Sequence, residues 1–199
     1  MPARRKTPRR RPRQARAHAT IDAILEATAQ ILEREGEAGF NTNRIAARAG
    51  VSVGTLYQYF RDKQAILREI ARRETEAVRS ATEAIPRGQR ERASLQRLID
   101  AFPGRPKLRR IVVRRLTADV SDLPPSAINS DLDATSRLLE VKLKRVDAYI
   151  LTRAVLGVVR SAVLEDAPFL HKPEFVDGLL RLTRAYRAAL KHEATSRRA

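Results

Sequence analysis

Apolar side chains recur every three or four positions along most of the chain, and no stretch alternates like a half-buried strand. The first clear run is Ile21, Ile24, Leu25, Thr28, Ile31 and Leu32, with Asp22, Glu26, Glu33 and Arg34 on the other face. It predicts a helix from about His18–Thr20 to the glycines Gly36 and Gly39. Thr42 offers a cap for a short helix over Asn43–Ala49, and Gly50 suits the left-handed turn that stops it. Ser52 caps Val53–Tyr59, and Asp62 caps a helix that carries Ile66, Leu67 and Ile70 toward Ala84. After Pro86 and Gly88 the pattern restarts. Leu95, Leu98, Ile99 and Phe102 read as one helix and Leu108 to Ala118 as another. A longer helix follows from Pro124 and Pro125 to about Arg145, then Asp147 to Leu164, and finally Phe175 to Leu190. The fold class expected is all-α.

The most informative segment is 41–60, NTNRIAARAGVSVGTLYQYF. Two short helices pack at a steep angle only if their contact positions are small or apolar and the turn is tight. Ile45, Ala46, Ala49, Val51 and Leu56 supply inward positions, and Gly50 sits at the turn. The outward set is Thr42, Arg44, Ser52, Gly54, Thr55, Tyr57, Gln58 and Tyr59. Hydroxyls, a guanidinium and a glycine suit close approach to a phosphate backbone and to base edges. This is a helix-turn-helix pattern.

The segment from His18 to about Ala77 resembles the DNA-binding domain of TetR-type regulators, above all in the run VSVGTLYQYFRDKQAIL, Val51 to Leu67. The resemblance implies a three-helix DNA-binding domain followed by an antiparallel helical domain for ligand binding and dimerisation. It implies that the helix Val53–Tyr59 enters the major groove with Val53, Gly54 and Thr55 nearest the bases. Tyr57 and Tyr59 then meet phosphates or nearby bases, Thr42 and Arg44 the backbone and an edge base, and Lys63 a phosphate. Arg61-Asp62 departs from relatives that often carry Pro, Gly or Lys before the capping residue. Asp62 keeps the cap, but its charge lies beside Lys63.

Charge sharpens the picture. The chain of 199 residues has 40 Lys and Arg against 23 Asp and Glu, a formal net charge of +17, which suggests a polyanionic partner. Residues 18–68 are nonetheless neutral, with Arg34, Arg44, Arg48, Arg61, Lys63 and Arg68 against Asp22, Glu26, Glu33, Glu35, Glu37 and Asp62. Residues 1–17 carry Arg4, Arg5, Lys6, Arg9, Arg10, Arg11, Arg13 and Arg16 with no acid, and Pro2, Pro8 and Pro12 besides. They are expected to be a disordered basic arm. The domains expected are therefore this arm (1–17), the DNA-binding domain (18–77) and a regulatory and dimerisation domain (78–199).

In the last third, AVLGVVRSAVLED (154–166) and FVDGLLRLTRAY (175–186) resemble the final two helices of TetR-type regulators, which pair with their twins as a four-helix bundle. Independently, Ala154, Gly157, Val158, Ser161 and Ala162 make a small-residue seam, and Phe175, Leu179, Leu182 and Tyr186 make an apolar stripe. Two such stripes suggest a homodimer. The resemblance also implies a pocket for a small-molecule effector among residues 91–165. Arg153 and Arg160 could meet an anionic ligand or pair with residues such as Glu165 and Asp177, so the ligand-binding residues are left unassigned.

Other classes fit less well. The absence of Cys excludes disulfides and thiolate metal sites, and His18, His171 and His192 lie in no metal-binding spacing, so neither metal nor cofactor is expected. No nucleophile–base pair or phosphate loop points to an enzyme. No apolar run reaches the length of a membrane span, and no apolar segment follows the basic start as a secretory signal would require. A cytoplasmic protein bound to double-stranded DNA is expected, with a transit peptide as the alternative reading of the basic start. The remaining alternatives are a packaging protein that binds DNA without sequence preference, and an activator built on the same DNA-binding domain.

Overall fold

The structure is a computed structural model and describes residues 10–86, 89–118 and 143–196. Among the described residues there are eight α-helices and no strand, so the all-α expectation holds. They are α1 (Arg10–Glu35), α2 (Thr42–Ala49), α3 (Val53–Tyr59), α4 (Lys63–Glu83), α5 (Arg90–Ile99), α6 (Pro106–Ala118), α7 (Arg145–Leu164) and α8 (Pro173–Ser196). A 3-10 turn, Gly36–Gly39, follows α1. The chain divides into two compact units between Ala71 and Arg72, inside α4.

Helix α1 corrects one expectation. It begins at Arg10, so residues 10–17 are helical rather than part of a disordered arm. Pro12 is compatible because it lies in the first turn, where its missing N–H has no intrahelical partner in any case. Residues 1–9, Gly88 and the helix expected from Pro124 onward lie outside the described residues.

In the first unit, Ile24, Leu25, Ile31 and Leu32 of α1 are buried with Phe40, Ile45, Ala46, Leu56, Phe60, Ile66 and Leu67. Complete burial of a Leu or Ile contributes about 1.5–3 kcal/mol relative to exposure, and this shared core holds α2 and α3 to α1. Thr28 is also fully buried; its Oγ1 donates to the Ile24 carbonyl at 2.8 Å, which removes the cost of an unpaired hydroxyl. Gly39 is required by space, since an added Cβ would lie 2.8 Å from a methyl of Ile31.

The second unit centres on Leu95 and Ile99 of α5, Val155, Val159, Ala162 and Val163 of α7, and Val176, Leu179 and Leu180 of α8, with Leu170 between the last two helices. Helix α6 packs on α7, with Leu108, Ile111 and Val112 buried and Val113 against the cluster. Helix α5 stops at Ile99, short of Phe102, which was expected within it. Pro103 disfavours right-handed helix for the residue before it, and Phe102 takes φ 61° with its N–H donating to Glu74 Oε1 at 2.8 Å. The buried Arg109 donates to the carbonyls of Leu98 and Ile99, closing the end of α5, and burial lowers the pKa of its guanidinium.

Candidate nucleic-acid interface

Helices α2 and α3 meet at a tight turn for local reasons. Asn41 has extended backbone, and its side chain accepts from the Asn43 N–H at 2.8 Å. Asn41 is thus the cap of α2, and Thr42, expected as the cap, is the first helical residue. An Asn side chain in extended backbone reaches the second N–H of the helix, one of four that lack intrahelical partners. Gly50 ends α2 at φ 69°, a conformation that disfavours any residue with a Cβ. Ser52 caps α3 by accepting from the Thr55 N–H at 3.0 Å. Asp62 caps α4 by accepting from the Ala65 N–H at 2.6 Å. Ile45 and Leu56, both with no exposed surface, lock α2 and α3 to the core.

These elements bring Thr42, Tyr57 and Lys63, of the sequence-predicted residues, to one groove. Phe40, Asn41, Thr42, Tyr57, Arg61, Asp62 and Lys63 line an open groove of about 370 Å³. Thr42 Oγ1 and the Tyr57 hydroxyl face each other across it at 3.5 Å. Tyr57 is 51% and Tyr59 37% exposed. Gln58 is exposed, and Val53 and Thr55 are half-buried.

Gly54 sits in the first turn of α3, exposed, with right-handed backbone. A Cβ there would meet only Ser52 Oγ, at 3.8 Å. Neither backbone strain nor crowding within this chain requires glycine at that position.

The electrostatics refine three assignments. Arg44, 56% exposed, is paired with Glu35, so its charge is partly matched inside the domain. Lys63 is exposed; its Nζ lies 3.4 Å from the Phe40 carbonyl oxygen and 5.1 Å from the centre of the Phe40 ring. Asp62 does not engage it in any contact found: its oxygens accept from the Ala65 N–H, from Arg61 Nε at 2.9 Å and lie 3.5 Å from Arg68. The Ala65 N–H first, then Arg61 and Arg68, hold the Asp62 carboxyl below the usual carboxylate range. Ser52 Oγ and Thr55 Oγ1 lie 2.8 Å apart, so this pair keeps one hydroxyl proton for an outside acceptor. Arg48 donates twice to Gln30 Oε1, at 2.9 and 2.6 Å, and braces α2 on α1. Asn41 and Arg61 were missed by sequence reasoning. The signal for Asn41 was its place two residues before Asn43; the place of Arg61 in the groove depends on the turn between α3 and α4.

The residues expected at a dimer interface divide. Ala162 and Leu179 belong to the interior of their own protomer, with 4% and 3% exposure, and are unavailable to a partner. The reason is helical phase: Val159, Ala162 and Val163 share one side of α7, while Gly157, Val158 and Ser161 lie on the other. Val158 and Leu182 stay exposed, Ala154, Phe175 and Tyr186 are half-buried, and the Tyr186 hydroxyl donates to Asp147 at 3.0 Å. Exposed Val146, Tyr149 and Ile150 extend the same side of α7, and Val146 was missed because the helix starts earlier than Asp147. Arg153 stacks on Tyr149 at 5.4 Å, and Asp177 pairs with Arg92 instead of with Arg153 or Arg160.

Among the described residues, no group of His, Asp or Glu is placed to hold a metal, and no helix is long and apolar enough to cross a membrane.

Known proteins resemble the chain at both levels. The family model described as bacterial regulatory proteins, tetR family, matches residues 24–70. The HTH-type transcriptional regulator BetI of Escherichia coli is 35% identical over 81 residues, covering 39% of this chain and 41% of that protein. The matched segment thus spans about two-fifths of that relative's length. A transcriptional regulator from Rhodococcus has the same fold, with a TM-score of 0.59 at 18% identity over 81% of this chain and 92% of that one. A TetR-family transcriptional regulator from Haemophilus influenzae gives 0.55 at 20% identity, over 88% and 98%. Residues 40–63, which form the turn, caps and exposed groove just described, lie inside the matched family segment. Residues 24–70 thus match the tetR family of bacterial regulatory proteins, and the chain resembles that family's regulators over this segment.

Proposed function

We propose that this protein is a cytoplasmic, sequence-specific regulator of transcription that binds double-stranded DNA through α2, α3 and the start of α4. Gly54 carries the reading. Glycine inside a helix costs about 0.5–1 kcal/mol relative to alanine, and nothing in this chain requires it there. A surface approaching from outside does, and it must come close enough to touch backbone. Exposed Ser52, Tyr57, Gln58 and Tyr59 on or beside α3, with Thr42 and Lys63 of the groove, carry the hydroxyls, amide and amine that donate to phosphates and base edges. Tyr57, Tyr59, Thr42 and Lys63 hold the backbone; Val53, Gly54 and Thr55 read the groove.

The protein acts as a homodimer on a palindromic operator. Gly157 supports this in the same way: it is exposed within α7, and a Cβ there would meet nothing within 4 Å. With Val146, Ile150, Ala154 and Ser161 it forms a stripe at helical spacing that a second copy covers. The helical second unit, which carries its own core, takes a small-molecule effector and releases the operator, making the protein a repressor.

The experiment that tests the DNA reading is Gly54→Leu. Leucine is the better helix former and its Cβ meets no crowding in the free protein, so the thermal midpoint should hold or rise. Binding to a selected duplex, measured against excess bulk DNA, should fall at least tenfold. A variant that keeps specific binding would overturn this assignment of α3.

A further inference from the structure

Arg61 lines the groove beside Lys63, in the turn between α3 and α4, and its side chain is 82% exposed. Its Nε donates to Asp62 Oδ2 at 2.9 Å. Among the described residues no partner is found for its two terminal NH2 groups, so four of its five N–H donors are open to an outside acceptor. Stability does not account for the pair, because an exposed ion pair contributes only about 0–1 kcal/mol. Charge alone makes Asp62 unwelcome here, since an anion on a surface that meets phosphates repels them.

Asp62 is nonetheless a firm partner. Its other oxygen, Oδ1, accepts from the Ala65 N–H at 2.6 Å and lies 3.5 Å from Arg68. The carboxylate is thereby tied to the first turn of α4, and a guanidinium bonded to it through Nε starts from a fixed base. An arginine held this way has less freedom left to lose when it takes a ligand. The edge formed by its two NH2 groups is a planar fork that matches the oxygens of a phosphate. The same groove carries the Thr42 and Tyr57 hydroxyls, 3.5 Å apart, and the Lys63 amine, 3.4 Å from the Phe40 carbonyl oxygen. Resting on the DNA reading above, we infer that Arg61 is a further phosphate-binding residue of this groove and that Asp62 is its positioning residue. The Asp62 carboxylate then strengthens DNA binding, because holding the guanidinium outweighs its own repulsion of the phosphates.

The test measures binding of a selected duplex and of bulk DNA across a salt series. It compares the full chain with Arg61→Gln, Arg61→Lys, Asp62→Asn and the double variant Arg61→Gln/Asp62→Asn. Asparagine caps a helix about as well as aspartate, so Asp62→Asn should keep the parent's thermal midpoint, and Arg61→Lys leaves the cap untouched. Arg61→Gln should lower the salt slope by about 0.9 for each protomer, so that its deficit shrinks about 3.5-fold between 50 and 200 mM salt, on both DNAs alike. Arg61→Lys keeps the charge, and therefore the slope, but has neither Nε nor a fork. It should bind more weakly at every salt concentration, by about twofold or more. Asp62→Asn should weaken binding at least about twofold in the parent and not at all in the Arg61→Gln background. A salt line for Arg61→Gln parallel to the parent's overturns the phosphate contact. Binding by Arg61→Lys equal to the parent's overturns the fork. An Asp62→Asn variant that binds as tightly as its parent or more tightly, or that loses as much in both backgrounds, overturns the positioning role. The DNA reading is judged on the parent alone: a parent that prefers no duplex over bulk DNA, yet shows these differences among its variants, sinks sequence-specific binding and leaves the Arg61 contact standing.

Discussion

Substituting Gly157 with glutamine separates what α7 does for its own protomer from what it does for a partner. Within the protomer the change is favourable. Gly157 is exposed in the middle of a 20-residue helix, and a Cβ would touch nothing within 4 Å. Glutamine is a strong helix former, so the protomer should gain about 0.5–1 kcal/mol. At the proposed two-fold interface the same side chain would be inserted twice, between helices proposed to approach through Gly157, Ala154 and Ser161. Overpacking of this kind costs about 1–3 kcal/mol at each site, so the two sites together weaken association at least about 30-fold. Sedimentation over a concentration series reads the association, and thermal unfolding below the dissociation constant reads the protomer. The two should move in opposite directions. A variant that stays as dimeric as its parent would refute the placement of a partner on this side of α7, whatever its melting temperature.

Two further outcomes follow from the groove. Lys63→Ala should weaken binding to selected and bulk DNA equally and lower the salt slope by about 1; a loss confined to the selected site, read in the same titrations, would remove Lys63 from the phosphate set. Asp62→Ala should cost about 1 kcal/mol at neutral pH as a lost helix cap. Because the folded carboxyl titrates below its unfolded value, that contribution is complete above the unfolded pKa and disappears as pH falls through the folded one. Denaturant unfolding of parent and variant should therefore converge in acid, and a gap that persists there would deny the role of the ionised cap.

Among the described residues, the order of the helices and the turn between α2 and α3 were legible because local chemistry decides them. Gly50 has to be glycine at φ 69°, and Ser52 and Asp62 cap in the expected places. The misses arise where a neighbour decides. Arg10 starts α1 because a proline in the first turn removes no bond, a distinction that composition does not make. Asn41 displaced Thr42 as cap because both residue types cap, and only the extended backbone at position 41 chooses between them. Ala162 and Leu179 looked like interface residues because apolar spacing marks a buried side without saying which chain buries it. In the groove, residue types were legible but pairings were not. That Arg44 meets Glu35 while Asp62 turns to Ala65, Arg61 and Arg68 depends on folding distant segments together.

The central claim is that α3 reads base sequence and that a two-fold partner doubles the reading. Repeated selection of full-length protein on a random duplex pool tests both at once. The expected result is a strongly enriched palindrome, with half-sites one helical turn or a multiple apart, that stays bound against excess bulk DNA. A pool that remains random after several rounds, while the protein still binds it tightly at low salt, would contradict the account and leave a protein that grips phosphates without reading bases.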